Sequence, residues 1–189
     1  MPPQTDPAAA AVTPEFSRPI AVEALAAGAV FSDAAAPEEC AALARRFGVD
    51  GVRALSFRIE ASPWGPGGLR LRGLAEARLA QVCVVTLEPL ETAVSEPVDR
   101  FLAPAGRLEA AQALLDPDLD EAPEPLGGSV DLGEIAAEAV ALAIDPYPRA
   151  PGAAFEGARS APPGVAPLTD EQTRPFAVLA ALKARGEGG

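Results

Sequence analysis

The sequence predicts an α+β domain: an antiparallel, partly barrel-like sheet with flanking helices, a disordered N-terminal tail and a C-terminal helix. Two observations predict it. In the middle of the chain, "RALSFRIE" (53–60) and "LRLRGLAEARLAQVCVVTLEPL" (69–90) alternate apolar and polar side chains, the period of strands with one wet face. On either side, residues 36–48 and 131–145 space their apolar residues as helices do. Strands in the centre with helices at the edges make α+β rather than an alternating α/β order.

Taken in order, residues 1–15 are rich in Pro and Ala and are expected to form the disordered tail. A single domain then spans 16–156. Its first segment, "FSRPIAVEAL" (16–25), reads as a short strand, with Pro19 favouring an edge position. "APEECAALARRFG" (36–48) reads as a helix: Pro37 suits the first turn, Glu38 and Glu39 complement the dipole there, and Arg45 and Arg46 suit the last turn before Gly48. In 53–60, Leu55, Phe57 and Ile59 share one face while Ser56, Arg58 and Glu60 share the other. "ASPWGPGG" (61–68) is a turn on composition.

The segment 69–90 returns as one long strand or two shorter ones, and 91–104 is a weaker strand candidate. An acidic, proline-containing loop fills much of 107–128. Asp131 then reads as the N-cap of a helix, with Glu134 three residues on as in a capping box. That helix is expected to end near Ile144 or Asp145, because a residue before proline is pushed out of the α region. A linker over 157–173 and a C-terminal helix and tail over 174–189 complete the chain.

Composition removes several functional classes. The 189 residues carry a net charge of −12 and no histidine. Without histidine the chain lacks the usual general base near neutral pH and the commonest metal ligand. Two cysteines, Cys40 and Cys83, are too few for a disulfide framework. No signal peptide is read at the N-terminus and no run reaches the length of a membrane span, so a cytoplasmic location is expected, with no membrane or DNA partner. No cofactor or metal site is expected.

Charge is polarised along the chain. Residues 40–78 hold seven arginines against Asp50, Glu60 and Glu76, whereas residues 107–145 hold ten carboxylates against Arg107 alone. Arg53, Arg58, Arg70, Arg72 and Arg78 fall in the strand region, and a guanidinium fork suits phosphate, which makes them RNA-binding candidates. The competing reading is intramolecular, with the acidic stretch folded over the arginines. Few aromatics interleave with them, which argues against base stacking there.

The stretch "DLGEIAAEAVALAIDPYPRAPG" (131–152) supplies docking candidates: Asp131, Glu134, Glu138, Tyr147 and Arg149. Glu134 and Glu138 lie four apart on one helix face. As an acid/base or metal pair they lack the histidine such sites use, so a solvated face is the simpler reading. The two prolines around Tyr147 favour a stiff, extended strip, either a helix exit with Tyr147 packed on the body or a preformed docking segment. Cys83 reads as a small buried hydrophobe.

Three segments, "CVVTLEP" (83–89), "DLGEIAAEAVALAIDPYPR" (131–149) and "RPFAVLAALKAR" (174–185), together resemble the YceD family, from about residue 16 to the end. The family's bacterial members are named for accumulation of the large-subunit ribosomal RNA. The resemblance implies a non-enzymatic cytoplasmic factor that supports 23S ribosomal RNA levels and large-subunit assembly. Its implied partner is a ribosomal RNA precursor, or a large-subunit ribosomal protein or assembly factor. Many members carry Cys-x-x-Cys-Leu-x-Pro where this chain has Cys83, Thr86, Leu87 and Pro89, so a metal site implied for those members loses a ligand here. Two mechanisms follow: direct RNA contact through the arginines, or an acidic adaptor or chaperone that shields a basic protein.

Overall fold

The structure is a computed structural model that describes residues 14–115, 122–154, 161 and 164–166. The expected tail lies outside the described residues except for 14 and 15. So does the expected linker except for 161 and 164–166, and so does the whole C-terminal helix. The chain divides at Ala150 into two compact units, and every helix and strand described belongs to the first, Met1–Ala150.

Five strands make the main sheet, in the order β2-β3-β4-β5-β6: β2 Val30–Ala34, β3 Gly51–Trp64, β4 Gly68–Val82, β5 Pro89–Pro104 and β6 Glu124–Leu126. All neighbours are antiparallel except β5 and β6, which are parallel over three residues. The alternation read from the sequence is the alternation of the sheet. Leu55, Phe57, Ile59, Leu69, Leu71, Ala75, Ala77 and Leu79 are all buried on the inner face. Each large aliphatic side chain buried this way is worth about 1.5–3 kcal/mol.

The expected partial barrel does not form. The sheet stays open, with β2 and β6 as its edges. Helices α2 (Pro37–Phe47) and α4 (Leu132–Ala143) lie against the inner face and occupy the space that closing strands would need. Through α4, Leu132, Ile135, Ala136 and Ala139 join the core, as helical spacing predicts; Ala137 and Val140 join it too, while Ala143, expected on the same face, stays outside it.

Other departures have local reasons. The strand expected over 16–25 is only β1, Pro19–Ala21, followed at once by the short helix α1, Val22–Ala26. Its pairing partner β7, Ser129–Asp131, offers just three residues, so the ladder stops there. The turn expected over 61–68 shrinks to residues 65–67, because β3 continues to Trp64. The weak candidate 91–104 is β5, the longest strand at 16 residues. Glu96 and Arg100 interrupt its apolar face, yet it pairs with β4 from Val82↔Pro89 to Leu69↔Leu102. Pairing overrides a mediocre local pattern. Pro97 is tolerated because β5 meets β6 only at Leu102–Pro104 and is an edge elsewhere. The acidic segment 107–128 also contains α3, Leu108–Gln112.

Gly73 sits mid-strand in β4, opposite Ile59 and Val98. A Cβ there would run into the carbonyl oxygen of Arg58, so only glycine allows β3 and β4 this close approach.

The two ends of the domain meet at Asp131. As N-cap of α4 its carboxylate accepts the N–H groups of Gly133 and Glu134, each at 3.1 Å. It also accepts the Ser17 hydroxyl at 2.5 Å and the Arg18 N–H at 2.7 Å. Gly133 makes room for this crossing: a Cβ there would strike the Phe16 carbonyl oxygen. Arg18 in turn grips Glu39 of α2 with two bonds and reaches Asp33 of β2. Burial works to raise the Asp131 pKa, but the four donors outweigh it and the net direction is down.

Asp131→Ala is therefore expected to cost about 2–4 kcal/mol, combining a lost cap with stranded donors. A carboxyl with a depressed folded pKa contributes its full share at neutral pH and loses it as pH falls through that depressed value. Urea unfolding should then show a wild-type advantage that is large at neutral pH and narrows in acid. An equal midpoint for both proteins at neutral pH would refute this role.

Candidate interaction surfaces

The wet face of the sheet holds four of the five candidate arginines. Cross-strand rows run Ser62·Arg70·Phe101, Glu60·Arg72·Asp99, Arg58·Leu74·Pro97, Ser56·Glu76·Ser95 and Ala54·Arg78·Ala93. Arg72 thus lies between two carboxylates, and Asp99 is 3.6 Å from its guanidinium. Arg70 binds Asp99 bidentately at 2.8 and 2.7 Å and stacks 4.6 Å above the buried Phe101 ring. Arg70 holds the Asp99 carboxyl below its usual range. Arg53 stands exposed at the irregularity between Val52 and Ala54. Among the described residues Arg53, Arg58 and Arg78 make no ion pair within 4.0 Å. A shallow groove of about 480 Å³ lies over this face, with Glu60, Arg70, Arg72 and Asp99 in its walls.

Most of the positive charge on this face is therefore balanced: Glu60, Glu76 and Asp99 stand among Arg58, Arg70, Arg72 and Arg78, leaving one net positive charge. The described partner of Arg70 and Arg72 comes from the neighbouring strand β5. Sequence reasoning missed Asp99 because it counted 91–104 as a weak strand. The register of two antiparallel strands is needed to see it.

The α4 carboxylates separate. Glu134 does not complete a capping box; it binds Arg46 of α2 bidentately at 2.7 and 2.5 Å. It thereby ties the start of α4 to the end of α2. Glu138 is half exposed and lies 3.8 Å from Arg100 of β5, which also holds Glu124 of β6 at 2.8 Å. Glu134 and Glu138 thus serve different neighbours and do not converge on one point.

The helix exit behaves differently from the packed-tyrosine reading. Pro148 is the buried residue, while Tyr147 is 70% exposed. The Asp145 carboxylate accepts the Tyr147 N–H at 2.8 Å, which holds the turn. The strip 145–150 is stitched to the β4–β5 turn. Gln81 donates to the Asp145 carbonyl, Val84 N–H to the Pro148 carbonyl, and Ala150 N–H to Cys83 Sγ. Arg149 is exposed between the last two bonds.

Cys83 is buried as expected, yet it stands outside the main core cluster, covered by this turn and strip. Its sulfur accepts the Ala150 N–H at 3.3 Å and the Thr86 N–H at 3.4 Å. These donors, Ala150 first, favour the thiolate and bring the thiol down to about 7. The chemistry does not fit a metal. One cysteine sulfur is present, Thr86 stands in the second cysteine's place, and among the described residues no three Cys, Asp or Glu gather. In the same turn Leu87 has φ 59° and is 75% exposed. A left-handed backbone costs a non-glycine residue about 1–2 kcal/mol, and here no burial offsets it.

The fold and these surfaces define an acidic α+β protein that presents shallow surfaces and a stitched, strained sheet end. Its family is the one described as Large ribosomal RNA subunit accumulation protein YceD, whose profile matches residues 71–183; the chain belongs to it. The match begins within β4 and takes in the Cys83 turn, α4 and its exit. No curated protein and no solved structure matches the chain. Among the described residues no helix is long and apolar enough to cross a membrane.

Two measurements follow. Ultraviolet thiolate absorbance should show Cys83 titrating near 7, well separated from Cys40, whose thiol burial pushes up. Because its folded value lies below the ordinary 9.0, the Cys83 thiolate stabilises the fold fully above 9.0 and loses that share as pH falls through about 7. A midpoint at the ordinary value would show that the two N–H bonds do not hold in solution. Leu87→Gly should raise stability by about 0.5–1 kcal/mol, the strain relief less the entropy glycine loses on folding. A lower denaturation midpoint would mean Leu87 packs more than its exposure indicates.

Proposed function

We propose that this protein supports accumulation of the large-subunit ribosomal RNA without catalysis, as an acidic adaptor that binds a basic protein of the assembling subunit. One observation carries this reading: the arginine face that would grip RNA is already answered by its own carboxylates, with Arg72 between Glu60 and Asp99 and Arg70 held by Asp99. Phosphate binding depends on releasing counterions from the nucleic acid by net positive charge, and a face with one net positive charge on a chain of net charge −12 has little to offer. Of the aromatics on this face, Phe101 is buried beneath Arg70 and the half-buried Trp64 packs against the Phe101 ring at 4.7 Å, so base stacking has little to use there. The same surplus of carboxylates favours fast encounter with a basic partner.

A second reading, direct contact with a 23S precursor, is favoured by Arg53, Arg58 and Arg78, which are exposed and without an ion pair among the described residues.

Crosslinking and pull-down from cells separates the two. The adaptor predicts a basic ribosomal protein or assembly factor that survives ribonuclease treatment and is retained by Arg58→Glu/Arg78→Glu. Recovery of 23S precursor RNA that this variant loses would instead establish the RNA reading and overturn the adaptor.

A further inference from the structure

Among the described residues nine large hydrophobic side chains are exposed, and five of them lie in or next to the β4–β5 turn and the α4 exit: Val82 at the end of β4, Val84 and Leu87 in the turn, Leu142 in the last turn of α4 and Tyr147 beyond it. Far apart in sequence, these segments form one surface, because Val84 N–H donates to Pro148 and Ala150 N–H to Cys83. A groove of about 490 Å³ adjoins them, walled by Phe47, Val49, Ile144 and Pro146 together with Asp145 and Arg46, whose guanidinium is already held by Glu134 and Glu15. The register Gly51↔Ala80↔Glu91 brings Asp50 and Glu91 to the same end of the sheet, where Glu88 and Asp145 are also exposed. Arg149 is the cation of the 145–150 strip, set against these four carboxylates.

We propose that this end of the sheet is the docking surface of the adaptor, and that its occupant is a cationic segment rich in aliphatic side chains on a protein partner. The inference rests on the adaptor reading and names its site. Leu87 and Tyr147 provide apolar anchors on a rigid support, the kind of residue on which interface energy concentrates. The carboxylate rim takes the partner's Lys and Arg side chains. The same rim disfavours the other occupants: phosphates of RNA are repelled, and two copies meeting here face to face would oppose like charges. Leu87 remains exposed in a left-handed conformation, and contact with a partner gives that exposed side chain the burial it lacks in the free chain.

The test uses the full chain and a fluorescently labelled amphipathic peptide of lysine and leucine, with two comparison peptides in which glutamate replaces lysine or serine replaces leucine. Binding is read by anisotropy. The wild type should bind the lysine–leucine peptide and neither comparison peptide. Leu87→Ser/Tyr147→Ser should weaken binding at least about tenfold without shifting the melt. Glu88→Gln/Glu91→Gln should weaken it and flatten its salt dependence. Unchanged binding by Leu87→Ser/Tyr147→Ser would overturn the surface. So would a cell pull-down in which that variant still recovers the ribonuclease-resistant partner, although the adaptor function would then stand. A wild type that binds no lysine–leucine peptide and recovers no basic partner would overturn both. An RNA whose binding is lost in Leu87→Ser/Tyr147→Ser, or a wild-type dimer that this variant dissociates, would replace the proposed occupant.

Discussion

The Asp131 carboxylate holds the domain shut. It receives the Ser17 hydroxyl, the Arg18 N–H and the first free N–H groups of α4, so one side chain caps a helix and fastens the N-terminal segment across it. Everything at that end depends on the crossing. β1 can pair with β7 only because residues 17–18 are held there, and Arg18 then points its guanidinium at Glu39 and Asp33. Phe16, placed by the same segment, packs on Phe57 of the sheet with ring centroids 5.9 Å apart. Gly133 is the steric condition for all of it. The arrangement joins residues more than a hundred positions apart, so the ordering entropy of a long closure is offset at a point where several bonds form together.

The charge pattern acquires meaning only on the sheet. Along the chain, a basic block and an acidic block look like two poles that will either meet or bind different partners. In the fold, Arg70 and Arg72 of β4 meet Asp99 of β5, Arg72 also standing opposite Glu60 of β3, and Arg46 and Arg100 anchor the acids of α4. Most guanidiniums with a described partner serve the protein itself. Surface pairs of this kind contribute little stability singly, but they remove positive potential from the face where RNA would need it. Carboxylates without such partners, including Glu88 and Glu91, are left at the turn end of the sheet.

That end concentrates features the core does not require. A leucine sits in the left-handed region, a tyrosine stands exposed next to a buried proline, and a buried thiol is held by two backbone donors. The stitching from Gln81, Val84 and Ala150 makes the two segments rigid relative to each other. A rigid, apolar, acid-rimmed surface lowers the ordering cost of binding a segment of opposite charge.

Strands β3 and β4 and helices α2 and α4 were legible in the sequence, because each announces itself locally. Alternation of Leu55, Phe57 and Ile59 with Ser56, Arg58 and Glu60 needs no partner to be recognised, and neither do Pro37 or Asp131 at the helix starts. β5 was only faintly legible, since Glu96 and Arg100 break its pattern and are accommodated by distant strands and by α4. The partners of Arg70 and Glu134, the outward turn of Tyr147 and the open sheet were not legible at all. Each is set by residues brought together from remote parts of the chain, through register and helix packing that no local period encodes. The sequence by itself determined the elements, their caps and the acidic balance. The tertiary structure decided which charges cancel and which apolar side chains stay outside, because both depend on distances between segments rather than on order along the chain.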